Sequence, residues 1–502
     1  MILSNTQQIK FGAILSYAGI VVYILIGLLY TPWMIKVIGK DDYGLYTLAY
    51  SIISLFVFDF GISAAIQRFV AKYLAEGNKK KVNDCISLVY KLYLFVDIII
   101  LVFLSIFYFC IPYIYKELTL IQIQRLEVVY IIAAAFSFLS FPFIPLNGIL
   151  SAHEKFVQLK ICDLLSKVLT VLINILCLYN GGGLYELVIT NVLVGLAIVV
   201  IKLRIVYKQT NIKINLSYYN RSELKDILSF SGWTTVVALS QRCIFNIAPS
   251  ILGMFVTASL IGVFGIAVSL EAYTFTLAFA LNGLFLPKIS RILNDNDDIL
   301  PLMIKVGRIQ ILVLGLVLVE FVTIGQDFIY IWLGNDYKDA YICTLLLIIP
   351  TFLLLPSDIA DQTLIASGLV KYRAYVYIFM AIINIVLSYI MTSMFGLIGL
   401  AISIFIAYLL RTIALYYLYW SKLHINVFKF IYESYVKMGT GITLPIITSF
   451  IFFHNNSSTS WLDLLTNGII IFLLYFISMY FLALNTSEKS LIQREFNKIL
   501  KK

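Results

Sequence analysis

Charge is scarce in this chain. Asp, Glu, Lys and Arg make up 13% of its 502 residues, against 61% hydrophobic residues and a mean hydropathy of +0.94. Soluble domains carry about 25% charged residues, so a water-soluble globular protein is excluded. Histidine is rarer still. His153, His424 and His454 stand far apart, and no metal site follows from them. Six cysteines (Cys85, Cys110, Cys162, Cys177, Cys243 and Cys343) are scattered without a CxxC spacing. They read as small apolar helix residues, not as a disulfide framework or a thiolate cluster.

Apolar stretches of about 20 residues fill the rest, each long enough to cross roughly 30 Å of hydrocarbon as a helix. The strands of a membrane β-barrel would be about 10 residues with alternating polarity. The pattern predicts an all-α polytopic membrane protein. Fourteen spans are expected, at about 11–31, 44–67, 86–112, 128–150, 161–180, 184–201, 229–253, 260–287, 309–333, 341–366, 374–394, 397–420, 438–454 and 461–484. The polar first ten residues lead into span 1 without a small-residue cleavage site, so this segment reads as a span and not as a removed leader.

The net charge of +10 is a topology signal, not a nucleic-acid signal. With the N-terminus inside, the inner segments hold 28 of the 37 Lys and Arg, and the outer segments hold five: Lys36, Lys40, Lys116, Arg125 and Lys338. That asymmetry places both termini in the cytoplasm. No outer loop exceeds about 16 residues, too short for a catalytic domain, and the chain is read as a non-enzyme.

The longest inner loop, 202–228, divides two similar halves. "DDYGLYTLAYSI" (41–52) aligns with "SLIGVFGIAVSL" (259–270), Gly44 falling on Gly262. "LSAHEKF" (150–156) aligns with "ASGLVKY" (366–372). "GGLYELVITNVLVGL" (182–196) aligns with "FGLIGLAISIFIAYL" (395–409). Spans 1–6 therefore repeat as spans 7–12. A six-helix repeat keeps its orientation and implies a pseudo-two-fold along the membrane normal. The expected domains are 1–210, 211–430 and an addition at 431–502 that carries spans 13 and 14 and a basic tail. Span 4 holds Pro142 and Pro145, and span 10 holds Pro350 and Pro356. Prolines at matching places predict recurrent bends.

Charges inside apolar spans mark candidate sites, because each costs about 2.5–3.5 kcal/mol at mid-membrane on insertion scales. Asp59 (span 2), Arg242 (span 7) and Glu271 (span 8) lie near mid-span, and Asn246 shares a helix face with Arg242. Two readings stand: a transport cavity, or ion pairs that fix helix packing. In the first, Arg242, with Asn246 on its face, receives an anionic substrate group. Asp59, Glu271, Asp358 and Asp361 then bind a coupling H⁺ or Na⁺, and no other cofactor is expected. Arg411 is read as facing a lipid-holding groove. Asp163 and Lys167, four residues apart, read as a pair; Lys91 snorkels inward, Asp97 lies deeper, and Glu320 has no evident local partner. Of the 34 tyrosines and 36 phenylalanines, some could stack on sugar rings, but the sequence does not pick which.

"GKDDYGLYTLAYSI" followed by "FDFGISAAIQRFVAKYLAEGNKKKVND" resembles the start of bacterial O-antigen and capsule flippases. "FLPKISRILNDNDD" (285–298), "GQDFIYIWLGNDYKDA" (325–340) and "FGLIGLAIS" (395–403) are similar to later stretches of the same proteins. They belong to the multidrug/oligosaccharidyl-lipid/polysaccharide (MOP) exporter superfamily. The resemblance implies a V-shaped fold of two six-helix lobes, here with two extra helices. It also implies translocation of an undecaprenyl-diphosphate-linked oligosaccharide across the bacterial inner membrane, driven by an ion gradient, through a cationic cavity whose role here falls to Arg242 and to Arg68 at the inner end of span 2. Implied partners are that substrate, membrane lipids, a polysaccharide polymerase and a chain-length regulator; nucleic acid is not one. A multidrug antiporter and a peptidoglycan-precursor flippase stay open as alternatives within the superfamily, and a membrane glycan polymerase or ligase outside it.

Overall fold

A computed structural model describes residues 5–210, 212–279, 289, 291–293, 295, 297–453, 458–486, 488–490 and 493. Most of the 285–298 motif, the end of span 8, His454 and most of the basic tail lie outside them. Every regular element among the described residues is helical. Eleven stretches among them are long and apolar enough to cross a membrane, a number compatible with fourteen spans. One of the eleven, Val370–Leu423, contains two spans. The chain reverses within it at Gly396, the residue with non-helical φ/ψ. A straight helix would separate Met391 and Gly399 by about 12 Å. Instead, a Cβ on Gly399 would meet the Met391 carbonyl oxygen at 2.0 Å. The exposed surface is apolar: Leu29 is 74% exposed, Phe109 71% and Leu462 75%. Such faces would drive aggregation in water, and they suit hydrocarbon.

The chain divides into two compact units. The first comprises 1–265 with 377–400, and the second 266–376 with 401–502. In the first unit, spans 5 and 6 pack around Cys162, Val194 and Ile198. In the second, spans 9, 13 and 14 share a core of Ile311, Val319, Met438, Ile442, Ile471 and Tyr475, so the two additional spans pack on span 9.

Several spans predicted as continuous are broken. Span 2 runs as Lys40–Phe56 and then Ile62–Ala75, with 57–61 non-helical between them. Span 4 is Leu120–Ser140, a 3₁₀ turn at Phe141–Phe143, and then Leu146–Ala152. Span 10 is Asp339–Leu354, a 3₁₀ turn at Leu355–Ser357, and then Asp358–Ala366. These two 3₁₀ turns lie at the same place in the repeat and contain Pro142 and Pro356, the prolines expected to bend the chain. Span 7 stops at Phe245 and resumes at Ala248–Gly253 with Pro249 in its first turn.

Segments predicted on one side of the membrane contact one another. Arg125 pairs with Asp42 at 2.8 Å, both outer positions, and the Ser458 N–H of the last outer loop donates at 2.6 Å to Asp327, in the outer part of span 9. Among the inner positions, the Lys213 N–H donates to Asn83 at 3.2 Å. Arg308 grips both carboxylate oxygens of Glu488, at 2.6 and 2.7 Å. Burial pushes the Glu488 carboxyl up, but hydrogen bonds from Arg308 and the Asn485 backbone outweigh it and hold it below the usual glutamate range.

The repeat is visible in packing within the first unit. A Cβ on Gly44 would sit 1.8 Å from the Ala258 carbonyl oxygen and 3.2 Å from the Gly262 nitrogen. A Cβ on Gly262 would lie 3.4 Å from the Gly44 nitrogen, and one on Gly265 would lie 2.9 Å from Thr47 Oγ1. Gly44 aligns with Gly262, and Thr47 with Gly265. Repeat-related residues thus meet each other where spans 2 and 8 cross, as a two-fold requires. The missing side chains set the backbone separation. Gly44→Ala should therefore destabilise the protein by about 1–3 kcal/mol, the usual cost of overpacking. Thermal unfolding in detergent checks this, and an unchanged or raised midpoint contradicts it.

Candidate transport site

The sequence "VFDFG" (57–61) explains the break in span 2. Gly61 has φ +69°, in the left-handed region where a Cβ is costly. A Cβ there would also collide with Thr234 Oγ1, at 2.3 Å. Asp favours capping a helix over sitting inside one, and Asp59 does so here. Its Oδ1 accepts the Ser63 N–H at 3.2 Å, in the first turn of the restarted helix, and the Tyr93 hydroxyl at 2.9 Å. The expectation of a mid-helix acid is corrected: Asp59 occupies the gap between two helix segments.

Breaking a helix leaves carbonyls without their usual donors. The side chains of span 7 supply them. Arg242 Nη1 donates to the Ser54 carbonyl at 2.6 Å, whose helical donor would have been the N–H of Phe58, beyond the helix end. Its guanidinium lies 5.0 Å from the centre of the Phe58 ring. Asn246 Nδ2 donates to Ser54 Oγ at 2.6 Å, and Thr235 Oγ1 donates to the Phe60 carbonyl. Arg242 and Asn246 thus share a face, as expected, and that face docks on the broken span. Arg242 makes no ion pair with Asp59 among the described residues. Span 7's own break leaves the Cys243 carbonyl, which accepts from Asn384 of span 11 at 3.1 Å.

The break in span 2 packs on the break in span 4. Phe60 and Tyr93 both meet the Phe141 ring, at 6.1 and 5.1 Å. A Cβ on Gly148 would lie 2.7 Å from the Ser63 carbonyl oxygen. One turn beyond Tyr93, Asp97 is 3% exposed and its Oδ1 has no hydrogen-bond partner. Arg68 lies on the exposed surface of the restarted helix, 6.0 Å from the Phe69 ring centre.

The remaining candidates belong to the second unit. Glu271 is buried, and its Oε1 accepts from Thr351 Oγ1 of span 10 at 2.6 Å. Arg411 lies close enough to act on Glu271 electrostatically. Expected at a lipid-facing groove, Arg411 is 4% exposed, and its guanidinium stacks 3.8 Å from the Tyr408 ring centre. Asp358 accepts from Gln362 at 3.3 Å. Asp361 is ion-paired with Arg373 at 2.8 Å, so the two acids differ in their engagement. At the break above them, Tyr435 and Tyr416 donate to the Leu353 carbonyl at 2.6 and 3.2 Å.

Two expectations are changed. Asp163 does not take Lys167; it pairs with Lys202 at 3.2 Å, and Lys167 lies over the Tyr23 ring at 4.4 Å. Glu320 points at span 14, where a Cβ on Gly468 would lie 3.7 Å from its Oε2. The sequence reading missed Arg308, taken only as one of the inner cations. It is 3% exposed and also donates to the carbonyls of Glu433 and Ala483, at 2.6 and 2.7 Å. Both carbonyls lie in π-helical turns. No sequence periodicity marks such a turn.

With this geometry in hand, residues 34–342 match the family described as "Polysaccharide biosynthesis protein". The chain belongs to that family. No curated protein matches the sequence. Among solved structures, the chain is similar to a lipid II flippase MurJ in an inward closed conformation, with 14% identity and a TM-score of 0.66, covering 94% of this chain and 97% of that one. It is also similar to an inward-facing multidrug resistance MATE transporter of the MOP superfamily (14%, 0.64, covering 83% and 98%). A third is a MOP superfamily transporter from Pyrococcus furiosus (14%, 0.55, covering 85% and 97%). At these identities the likeness establishes the fold, which is the MOP fold expected from sequence.

If Asp59 secures the break by accepting hydrogen bonds, Asp59→Ala should cost about 1–3 kcal/mol, the penalty of leaving a buried donor unsatisfied. Asp59→Asn should cost less than half of that, because an amide oxygen accepts the same two bonds. Thermal unfolding separates the two, and equal losses would mean that the negative charge itself holds the break.

Proposed function

We propose that this protein is a flippase that moves an undecaprenyl-diphosphate-linked oligosaccharide from the cytoplasmic to the outer leaflet of a bacterial inner membrane by alternating access. The observation that carries this reading is the polysaccharide biosynthesis family match over residues 34–342 of a chain with a transporter fold. A diphosphate and a glycan cannot cross hydrocarbon unaided, whereas the prenyl tail can stay in lipid. The 28 inner Lys and Arg support cytoplasmic termini. A peptidoglycan-precursor flippase is the second reading. It is favoured by the 94% coverage of this chain against the lipid II flippase fold.

In this reading, Arg242 receives the diphosphate, using N–H donors beyond the one given to Ser54, and Asn246 supports it. Arg68, exposed on the inner part of span 2, is the first docking point. Coupling to H⁺ or Na⁺ falls to Asp59, Glu271 and Asp358; the Arg373 ion pair makes Asp361 the weaker candidate. A polymerase and a chain-length regulator would act on the product.

In cells lacking the protein, lipid-linked oligosaccharide should accumulate in the cytoplasmic leaflet and surface polysaccharide should be lost. Wild-type protein should restore it, and Arg242→Gln at equal membrane abundance should not. Unchanged surface polysaccharide in the deletion strain contradicts the proposal.

A further inference from the structure

The sequence left open which of its many tyrosines could meet sugar rings. The first unit gathers one group. On span 2, Tyr43, Tyr46 and Tyr50 form a ladder at helical spacing, with ring centres 6.5 and 4.5 Å apart. Tyr43 is buried, whereas Tyr46 and Tyr50 are half-buried and present ring surface. Asn191 of span 6 donates to the Tyr46 hydroxyl at 3.1 Å, and Asn174 of span 5 donates to Asn191 Oδ1 at 3.2 Å. Tyr30 of span 1 lies beside Asn174 and Tyr46. Along their helices Tyr50, Asn174 and Asn191 sit about 9–11 Å from the predicted outer span ends, and Tyr30 and Tyr46 lie within about 3 Å of theirs.

Two observations separate this group from ordinary packing. Asn174 Oδ1 is buried and has no hydrogen-bond partner, Asn174 as a whole is 3% exposed, and the buried Tyr30 hydroxyl meets the Asn174 side chain. Buried polar atoms are nearly always satisfied, and orphans point to an absent partner. Second, Lys167 lies seven residues before Asn174, and Tyr23 seven before Tyr30. Each offset is two helical turns on the same face, about 10 Å inward. Lys167 is exposed near mid-span, rests 4.4 Å from the Tyr23 ring centre and forms no ion pair among the described residues. A cation at that depth is expensive and points to an anionic ligand.

We infer that the first unit carries a bipartite glycolipid site: Tyr30, Tyr46, Tyr50, Asn174 and Asn191 recognise sugar rings, and Lys167, two turns inward, engages the diphosphate. The inference rests on the flippase reading and extends it to substrate recognition. Aromatic faces suit the C–H faces of pyranose rings, and their hydroxyls bond sugar hydroxyls. A sugar hydroxyl both donates and accepts, so one ring could donate to Asn174 Oδ1 and also bond Tyr30 Oη. Neutral amides and phenols would bind a glycan without holding it as tightly as charge-assisted bonds would.

The test uses purified full-length protein and native mass spectrometry with two probes, undecaprenyl diphosphate and the undecaprenyl-diphosphate-linked oligosaccharide extracted from the producing cells. Tyr30→Phe removes a hydroxyl whose polar neighbour in the protein is Asn174, so it should change thermal stability little. It should weaken the glycosylated probe about tenfold, equivalent to one lost neutral hydrogen bond, and leave undecaprenyl diphosphate within about twofold. Tyr46→Leu should do the same, whereas Lys167→Met should weaken both probes. If the wild type binds the glycosylated probe and all three variants bind as it does, this inference fails while the flippase reading stands. Equal loss of both probes in Tyr30→Phe also overturns it. If the wild type binds neither probe, the flippase reading itself falls and takes this site with it.

Discussion

The constraint on which the structure turns is the fate of backbone carbonyls at helix breaks inside a membrane. Hydrocarbon offers them no water, and each unsatisfied group costs several kcal/mol. Here the breaks are met by side chains of neighbouring spans. Arg242 and Thr235 serve span 2, Asn384 serves span 7, and Tyr416 and Tyr435 serve span 10. At the inner membrane edge, Arg308 serves the π-helical turns that precede span 13 and end span 14. The polar residues that look costly in apolar spans are, in large part, what makes those breaks affordable.

That arrangement bears on transport. A broken helix bonded through side chains can bend by exchanging a few polar partners, where an intact helix would have to lose its own ladder. The breaks in spans 4 and 10 recur at equivalent places in the two halves, so each half carries the same interruption. Arg242 and Asp59 each combine a structural bond with remaining hydrogen-bonding capacity. In the flippase proposed above, a substrate group or an ion that competed for that capacity would act on helix geometry directly.

The helical class and the membrane-crossing stretches were legible because hydropathy and small-residue spacing persist over many residues. Gly44 falling on Gly262 in the alignment anticipated a crossing in which the two touch. The site was less legible. Asp59 read as a mid-span acid because average hydropathy does not distinguish a continuous helix from two short ones. The local cue was present in Gly61 and the adjoining aromatic residues. Asp163 takes Lys202 from the next span at 3.2 Å and Lys160 on its own helix at 3.9 Å rather than Lys167, a tertiary choice that helical spacing alone does not reveal. Arg308 looked like one more inner cation, since nothing in a loop composition reveals that a guanidinium will be buried among carbonyls.

The central claim is that this chain flips a lipid-linked oligosaccharide. The most direct measurement reconstitutes the purified protein alone in proteoliposomes. They carry the fluorescent undecaprenyl-diphosphate-linked oligosaccharide, and the probe reaching the opposite leaflet is followed by its accessibility to an added glycosidase or lectin. The account predicts protein-dependent transfer that accelerates with an imposed H⁺ or Na⁺ gradient and slows in Arg242→Gln. Transfer no faster than in protein-free vesicles, under either gradient, would contradict it.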